Sequence, residues 1–230
     1  MSNPRIIVAL DFDDADNAIA FCKKLDPMLC RVKVGLELYL TAGEAIIARL
    51  HDMGFAIFLD LKFHDIPNTV AQACKRAAAL GVWMVNIHAL GGRKMMEMAR
   101  EAIESETNRP LLIGVTILTS MSDEALHQVG VNDTAELAVS RLASLAQHSG
   151  LDGVVCSPRE VKNLRTQFDE DFVLVTPGIR MSSEQQHDQV RVLGPKEAIE
   201  QGSSYLVIGR PITRAEDPGK KLEEINVLLI

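Results

Sequence analysis

The densest run of chemistry-bearing side chains in the 230-residue chain is Asp60-Leu61-Lys62-Phe63-His64-Asp65-Ile66-Pro67-Asn68-Thr69. In an extended backbone side chains alternate with a period of two, so Asp60 and Lys62 share one face while Leu61 and Phe63 share the other. The apolar pair can pack under a layer of helices, which leaves a carboxylate and an ammonium side by side, with Asp65 three residues on. A second ammonium, Lys33, interrupts the apolar run Val32-Lys33-Val34, and Asp11 closes another run after Leu10. Charges removed from water are tolerated only when paired. An alternating array of Asp60, Lys62 and Lys33 would therefore perturb pKa values and supply candidate acids and bases. The same residues also fit an ion-pair network that braces a rim, and Lys33 taken alone fits a solvated strand edge.

The elements that must position these groups are short, β-branched-rich apolar runs at 5–10, 31–35, 55–59, 82–87, 111–117, 153–156, 172–175 and 205–208. Their near-continuous hydrophobicity is the habit of parallel strands covered on both faces. Helical patterns lie between them. Asp13 or Asp14 can cap a helix that buries Ile19, Phe21, Cys22 and Leu25. Asn68 or Thr69 can cap another running to Leu80, with Gly81 placed to stop it. Met95, Met98, Ala99, Ala102 and Ile103 make a core-facing stripe, as do Ala138, Leu142, Leu145 and Ala146 ahead of Gly150. Eight strand–helix alternations without a Pro/Gly/Ser-rich linker predict an α/β chain folded as one (β/α)₈ TIM barrel, a single catalytic domain over 1–230. A doubly wound open sheet is the competing layout, but it needs fewer strands and usually has a glycine-rich turn after the first. Here that turn reads Leu10-Asp11-Phe12-Asp13. With no G-x-G-x-x-G and no G-x-x-x-x-G-K-[ST], dinucleotide and P-loop chemistry have no sequence support.

In a barrel the functional positions are the C-terminal ends of strands, and phosphate is often held by backbone N–H groups after strands seven and eight. The corresponding segments are Thr176-Pro177-Gly178-Ile179-Arg180, followed by Gln185, Gln186, Asp188 and Gln189, and Ile208-Gly209-Arg210-Pro211. Gly178 and Gly209 allow close backbone approach to an anion, and Arg210 offers a fork of donors. His64 beside Asp65, with His88 at the end of the fourth run, invites a metal reading. Lys33 on the second strand would repel such an ion, and no metal site is expected.

With 31 acidic against 24 basic residues, the net charge of −7 argues against a general nucleic-acid binder. Only 4 % of residues are aromatic, with one Trp, which leaves no stacking platform for single strands. No apolar run approaches the ~18 residues of a membrane span, and the first ten residues do not form a secretion signal. Cys22, Cys30, Cys74 and Cys156 show no zinc-type spacing and read as buried small hydrophobes in a reducing cytoplasm.

The segment from Asp60 to Thr69 resembles the D-x-K-x-x-D-I-P-N-T signature of the orotidine 5′-phosphate decarboxylases, most closely the bacterial, single-function form. The likeness extends to Asp11, Val32-Lys33-Val34-Gly35, Asn86-Ile87-His88-Ala89, Leu118-Thr119-Ser120, Thr176 to Arg180, Asp188-Gln189 and Gly209-Arg210-Pro211, and covers about residues 5 to 225. One local departure is Val190, where bacterial relatives often have a basic residue. The resemblance implies loss of CO₂ from orotidine 5′-monophosphate to give UMP, the last step of pyrimidine nucleotide synthesis, without metal or organic cofactor. By position, Lys62 would deliver a proton to C6 of the pyrimidine, Asp60 and Asp65 would flank the substrate carboxylate, and Lys33 would complete the charge chain. Asp65 and Ile66 would reach across a homodimer interface into the partner's site. Asp11, Lys33 and Thr69 would hold ribose hydroxyls and Thr119 the pyrimidine edge. Arg180, Gln189, Gly209 and Arg210 would hold the phosphate, and Pro177 would also touch the substrate. Two other readings compete. A metal-assisted sugar-phosphate decarboxylase or aldolase would share D-x-K-x-x-D but should carry an acidic ligand where Lys33 stands. A non-catalytic phosphate-metabolite binder on the same fold would be expected to lack one of Asp60, Lys62 or Asp65, and all three are present.

Overall fold

Every residue of β1 (Ile6–Leu10) is buried, because alternate side chains face the inside of a barrel and a surrounding layer of helices. The structure, a computed structural model, describes residues 3–179 and 193–229. Among these, β1 is followed by β2 (Arg31–Gly35), β3 (Ile57–Phe63), β4 (Met84–His88), β5 (Leu111–Val115), β6 (Gly153–Val155), β7 (Val173–Thr176) and β8 (Tyr205–Ile208). Each strand is parallel to the next, and β8 pairs with β1 to close the barrel.

The two faces of the strands form two cores. Ile7, Phe58, Met84, Ile113 and Val175 fill the interior. Val8, Leu10, Val32, Val34, Leu59, Val85 and Ile87 point outward and pack with Ile46, Val70, Met95, Ala143 and Leu222 from the helices. Full burial of each large aliphatic side chain is worth about 1.5–3 kcal/mol, so double coverage accounts for the unbroken apolar runs. At the N-terminal end of the barrel the Arg31 guanidinium lies 4.0 Å from the Trp83 ring centroid and 4.9 Å from that of Tyr205. It donates to Pro4 O and to Asn3 Oδ1, closing the floor opposite the charged strand ends.

Some elements match the sequence expectation and others differ from it. Helix Ala15–Cys22 is capped by Asp14, whose side chain accepts from the Asn17 N–H at 2.8 Å. The helix expected to start at Asn68 or Thr69 instead spans Pro67–Ala79, with Ile66 as its cap residue. Proline's fixed φ and missing N–H suit the first helical position, which places Asn68 and Thr69 inside the first turn. Gly81, at φ 73°, follows this helix. In helix Gly92–Ile103 the buried residues are Met95, Met96, Ala99 and Ile103, so Met96 replaces Met98 and Ala102 in the core. The third strand runs four residues beyond its apolar run, and there Asp60 and Lys62 find partners on the neighbouring strands β2 and β4. Among the described residues no helix is long and apolar enough to cross a membrane.

Candidate active site

β3 carries its charges past a break in the regular ladder. Leu59 pairs with Val85, but the next pairing on β4 is Phe63 with Ile87, so β3 advances four residues while β4 advances two. Lys62 lies in this irregularity at φ 52°, the one non-glycine residue with positive φ among the described residues. A non-glycine residue held in that region costs on the order of 1–3 kcal/mol and persists only where its surroundings over-determine it. Asn86 on β4 is part of that surrounding: its Oδ1 accepts the Lys62 backbone N–H at 2.8 Å.

The side chains of three neighbouring strand ends meet over the interior core. Lys62 Nζ lies 2.7 Å from Asp60 Oδ1, and Lys33 Nζ lies 3.3 Å from Asp60 Oδ2. Lys33 also donates to Asp11 Oδ1 at 3.5 Å. The Asn86 amide adds a 2.7 Å hydrogen bond to Asp60 Oδ1. The order Asp11, Lys33, Asp60, Lys62 is therefore a chain of alternating charge from β1 across β2 to β3. Lys33 and Asp60 are each only 9 % exposed, whereas Asp11 is open to solvent. Burial by itself raises the Asp60 pKa, but Lys33, Lys62 and the hydrogen bonds from Lys62 and Asn86 outweigh it and hold the carboxyl below its ordinary value.

This chain borders a cavity of about 220 Å³ at the barrel mouth. Lys33, Asp60, Lys62 and Asn86 form its polar side, Phe58, Val115, Val155, Val175 and Val207 its floor, and Thr119 and Pro177 part of its wall. An apolar floor beneath a few convergent polar groups suits a small ligand with polar or charged groups at one side. Gly209 follows β8 next to Asp11: a methyl group at Gly209 would come within 3.7 Å of Asp11 Oδ2. Gly178, at φ 79°, makes the turn after β7, and Arg210 is exposed at the start of helix Arg210–Thr213. Arg180 and Gln189, also expected at the phosphate, lie outside the described residues, as does Val190.

Asp11, Gly209 and Arg210 stand beside the cavity without lining it, and three further expected site residues stand apart from it within a single chain. Asp65, Ile66 and Thr69 are exposed where helix Pro67–Ala79 begins and do not line it. Asp65 Oδ1 accepts the backbone N–H of Ile66 at 2.6 Å, and Ile66 is 68 % exposed. The histidines considered as metal ligands pack ring against ring instead, with His64 and His88 centroids 5.4 Å apart. Burial, with His64 and Lys62 nearby, lowers the His88 pKa against an opposing pull from Asp60, favouring the neutral imidazole. Among the described residues no group of three or more His, Cys, Asp or Glu side chains could hold a metal ion. The four cysteines are buried free thiols, each pushed up to about 12 chiefly by that burial.

Asn86 is the site residue that reasoning from charge missed. Its signal was present in Met84-Val85-Asn86-Ile87-His88, where an amide interrupts a strand buried on both faces and must find partners there.

Residues 4–225 match the family described as "Orotidine 5′-phosphate decarboxylase / HUMPS family". The chain is 57 % identical over 225 residues to the orotidine 5′-phosphate decarboxylase of Hahella chejuensis, covering 98 % of this chain and 97 % of that one. It is 54 % identical over 222 residues to the protein of the same name from Neisseria meningitidis, with coverage of 96 % and 90 %. The crystal structure of orotidine 5′-phosphate decarboxylase from Lactobacillus acidophilus superposes with a TM-score of 0.89 at 42 % identity, over 99 % of both chains.

Proposed function

Because the chain belongs to the orotidine 5′-phosphate decarboxylase/HUMPS family, we propose that it converts orotidine 5′-monophosphate to UMP and CO₂, the last step of pyrimidine nucleotide synthesis. The observation that carries this reading is the Lys62 ammonium, 2.7 Å from Asp60 and raised over an apolar-floored cavity by a left-handed backbone. Cleavage of the bond between C6 and the carboxyl carbon releases CO₂ and leaves the electron pair on an sp² carbon with no adjacent carbonyl to receive it. A fixed cation is the means of stabilising that charge. Lys62 is the cation, and it then transfers a proton from Nζ to C6, becoming a neutral amine that solvent reprotonates.

Asp60 flanks the substrate carboxylate, and Lys33 keeps Asp60 ionised and in place. Asp11 and Lys33 hold the ribose hydroxyls, joined by Thr69 of the partner subunit, since Thr69 lies beside Asp65 and Ile66 outside its own chain's cavity, and Thr119 with Pro177 borders the pyrimidine. Gly209 and Arg210, joined by Arg180 and Gln189, hold the phosphate. Binding energy from that remote anion offsets the cost of desolvating the reacting end. The site is shared in a homodimer, with Asp65 and Ile66 serving the partner subunit, which accounts for an exposed apolar tip beside an acidic residue outside the cavity. No cofactor takes part: Lys33 stands where a metal-assisted relative needs an acidic ligand. A cytoplasmic setting suits a nucleotide-synthesis enzyme with four free thiols.

The test is incubation with orotidine 5′-monophosphate in excess EDTA, following loss of the orotate ultraviolet band and formation of UMP. Full turnover is expected. Activity abolished by EDTA and restored by Mg²⁺ would assign the chain to the metal-assisted branch, and no turnover under either condition would end the decarboxylase reading.

A further inference from the structure

We propose that Asn86 is a positioning residue for the reaction, fixing the Lys62 backbone and the Asp60 carboxylate relative to each other through one amide group. The inference deepens the functional reading above and rests on Lys62 as proton donor. Asn86 is fully buried in β4, with Val85 and Ile87 directed to the helix side and Asn86 directed inward above Met84. Its two polar atoms are both satisfied, and by different partners: Oδ1 accepts from Lys62 N–H at 2.8 Å, and Nδ2 donates to Asp60 Oδ1 at 2.7 Å. A peptide N–H can only donate and an ionised carboxylate can only accept, so the amide has one permitted orientation.

The irregular pairing of β3 with β4 makes this role specific. Two extra residues on β3 between the Leu59 and Phe63 pairings leave Lys62 at φ 52°, and its N–H is taken by a side chain of the neighbouring strand. Asp60 Oδ1 receives both the Lys62 ammonium and the Asn86 amide, while Oδ2 faces Lys33 Nζ at 3.3 Å. Asn86 therefore acts at both ends of the Asp60–Lys62 pair, on the main chain from which the ammonium extends and on the carboxylate that meets it. The other charged or titratable groups around it are Lys33 on β2, Asp11 after β1, His88 on β4 and His64 after β3. None of these supplies a donor and an acceptor at the spacing of one amide.

Asn86→Asp keeps the volume and the acceptor for Lys62 N–H but replaces the donor with a carboxylate facing Asp60. A misplaced reactive group typically costs about 10²-fold. The expected result is a kcat lower by about 10²-fold, with UMP affinity within about threefold of wild type. The acid limb of the kcat profile should move to higher pH, because one of two facing carboxylates retains a proton. Asn86→Ser, which leaves room for a water, should lose about tenfold in kcat with the same UMP affinity. A variant that binds UMP normally, keeps kcat within threefold and leaves the acid limb unmoved overturns the proposal. If Asn86→Asp does not fold, the kcat of Asn86→Ser decides by the same threefold margin. The Asp60 carboxyl titration, followed by ¹³C NMR without substrate, is read in parallel: it should lie below the ordinary carboxylate range in wild type and rise in Asn86→Asp. An Asp60 titration indifferent to residue 86 also counts against the proposal. Wild-type protein inert toward orotidine 5′-monophosphate overturns the functional reading itself, a result distinguishable from an active wild type with a fully active variant.

Discussion

Lys33 and Asp60 face each other across the seam between β2 and β3, Nζ to Oδ2 at 3.3 Å, with both residues nearly removed from solvent. Removing water from two opposite charges is tolerated here because Asp60 collects a second cation and an amide, so both of its oxygens have partners. The folded pKa of Asp60 lies below its ordinary value. Asp60 therefore contributes stability that is full above the unfolded-chain pKa of about 4 and is lost as pH falls through the lower folded value. Urea unfolding midpoints should decline on acidification across that window in wild type. The decline should be shallower in Asp60→Asn, and shallower also in Lys33→Met, which removes one counter-charge and brings the folded pKa of Asp60 back toward its unfolded value. Equal acid slopes in wild type and Asp60→Asn would show that the pair does not govern acid stability.

Lys62→Ala should lower kcat by about 10³-fold or more, since it removes both the proton donor and the counter-charge of the developing carbanion. UMP binding and the thermal midpoint should change little, because Lys62 is the partly exposed end of the array. A variant that keeps most of its kcat would move proton transfer to another group.

Gly35 lies under the Lys33 side chain: a methyl group there would stand 3.2 Å from Lys33 Nζ. The φ of −93° suits alanine, so Gly35→Ala introduces contact without backbone strain. The ammonium must move by a few tenths of an ångström. The expected effect is a drop in kcat/KM of about tenfold, with the chain still folded by circular dichroism and little change in its midpoint. Unaltered kinetics would mean that the position of Lys33 tolerates such a displacement.

Arg210→Ala should lower kcat/KM for the 5′-monophosphate by about 10²-fold or more while hardly affecting the slow reaction of the phosphate-free nucleoside, because a guanidinium helps only where there is an anion to bind. Comparing both substrates on both proteins distinguishes this from a structural role, which would depress the two alike.

Mixed variants test the proposed sharing of the site. Lys62→Ala and Asp65→Asn are each expected to be nearly inactive as pure dimers. If Asp65 acts in the partner's site, a hybrid has one site with both lesions and one with neither, and equal mixing with random exchange restores about a quarter of wild-type sites. Subunits shown to exchange without any gain over the parents would place Asp65 in its own subunit's site.

The eight strands were legible because a strand covered on both faces must be apolar at nearly every position, a demand written locally. The runs at 31–35 and 205–208 coincide with β2 and β8, and Asp11, Lys33 and Asp60 stand out as charges in or just after such runs. Their alternation along three adjacent strands follows from chain order once the barrel is closed, since β1, β2 and β3 are neighbours. Tertiary structure decided what no local pattern encodes. The period-two rule places Lys62 beside Asp60 but does not contain the two-residue slip against β4 or the left-handed φ that accompanies it. Both go with a hydrogen bond from the Lys62 N–H to Asn86, 24 residues away in sequence. No local pattern pairs Arg31 with Trp83 and Tyr205, whose rings barrel closure brings around its guanidinium. Burial preference belongs to each residue and is readable one position at a time, whereas a hydrogen bond or ion pair exists only when two distant segments arrive together. The strands could therefore be located from sequence, but the geometry that holds Lys62 over the cavity could not.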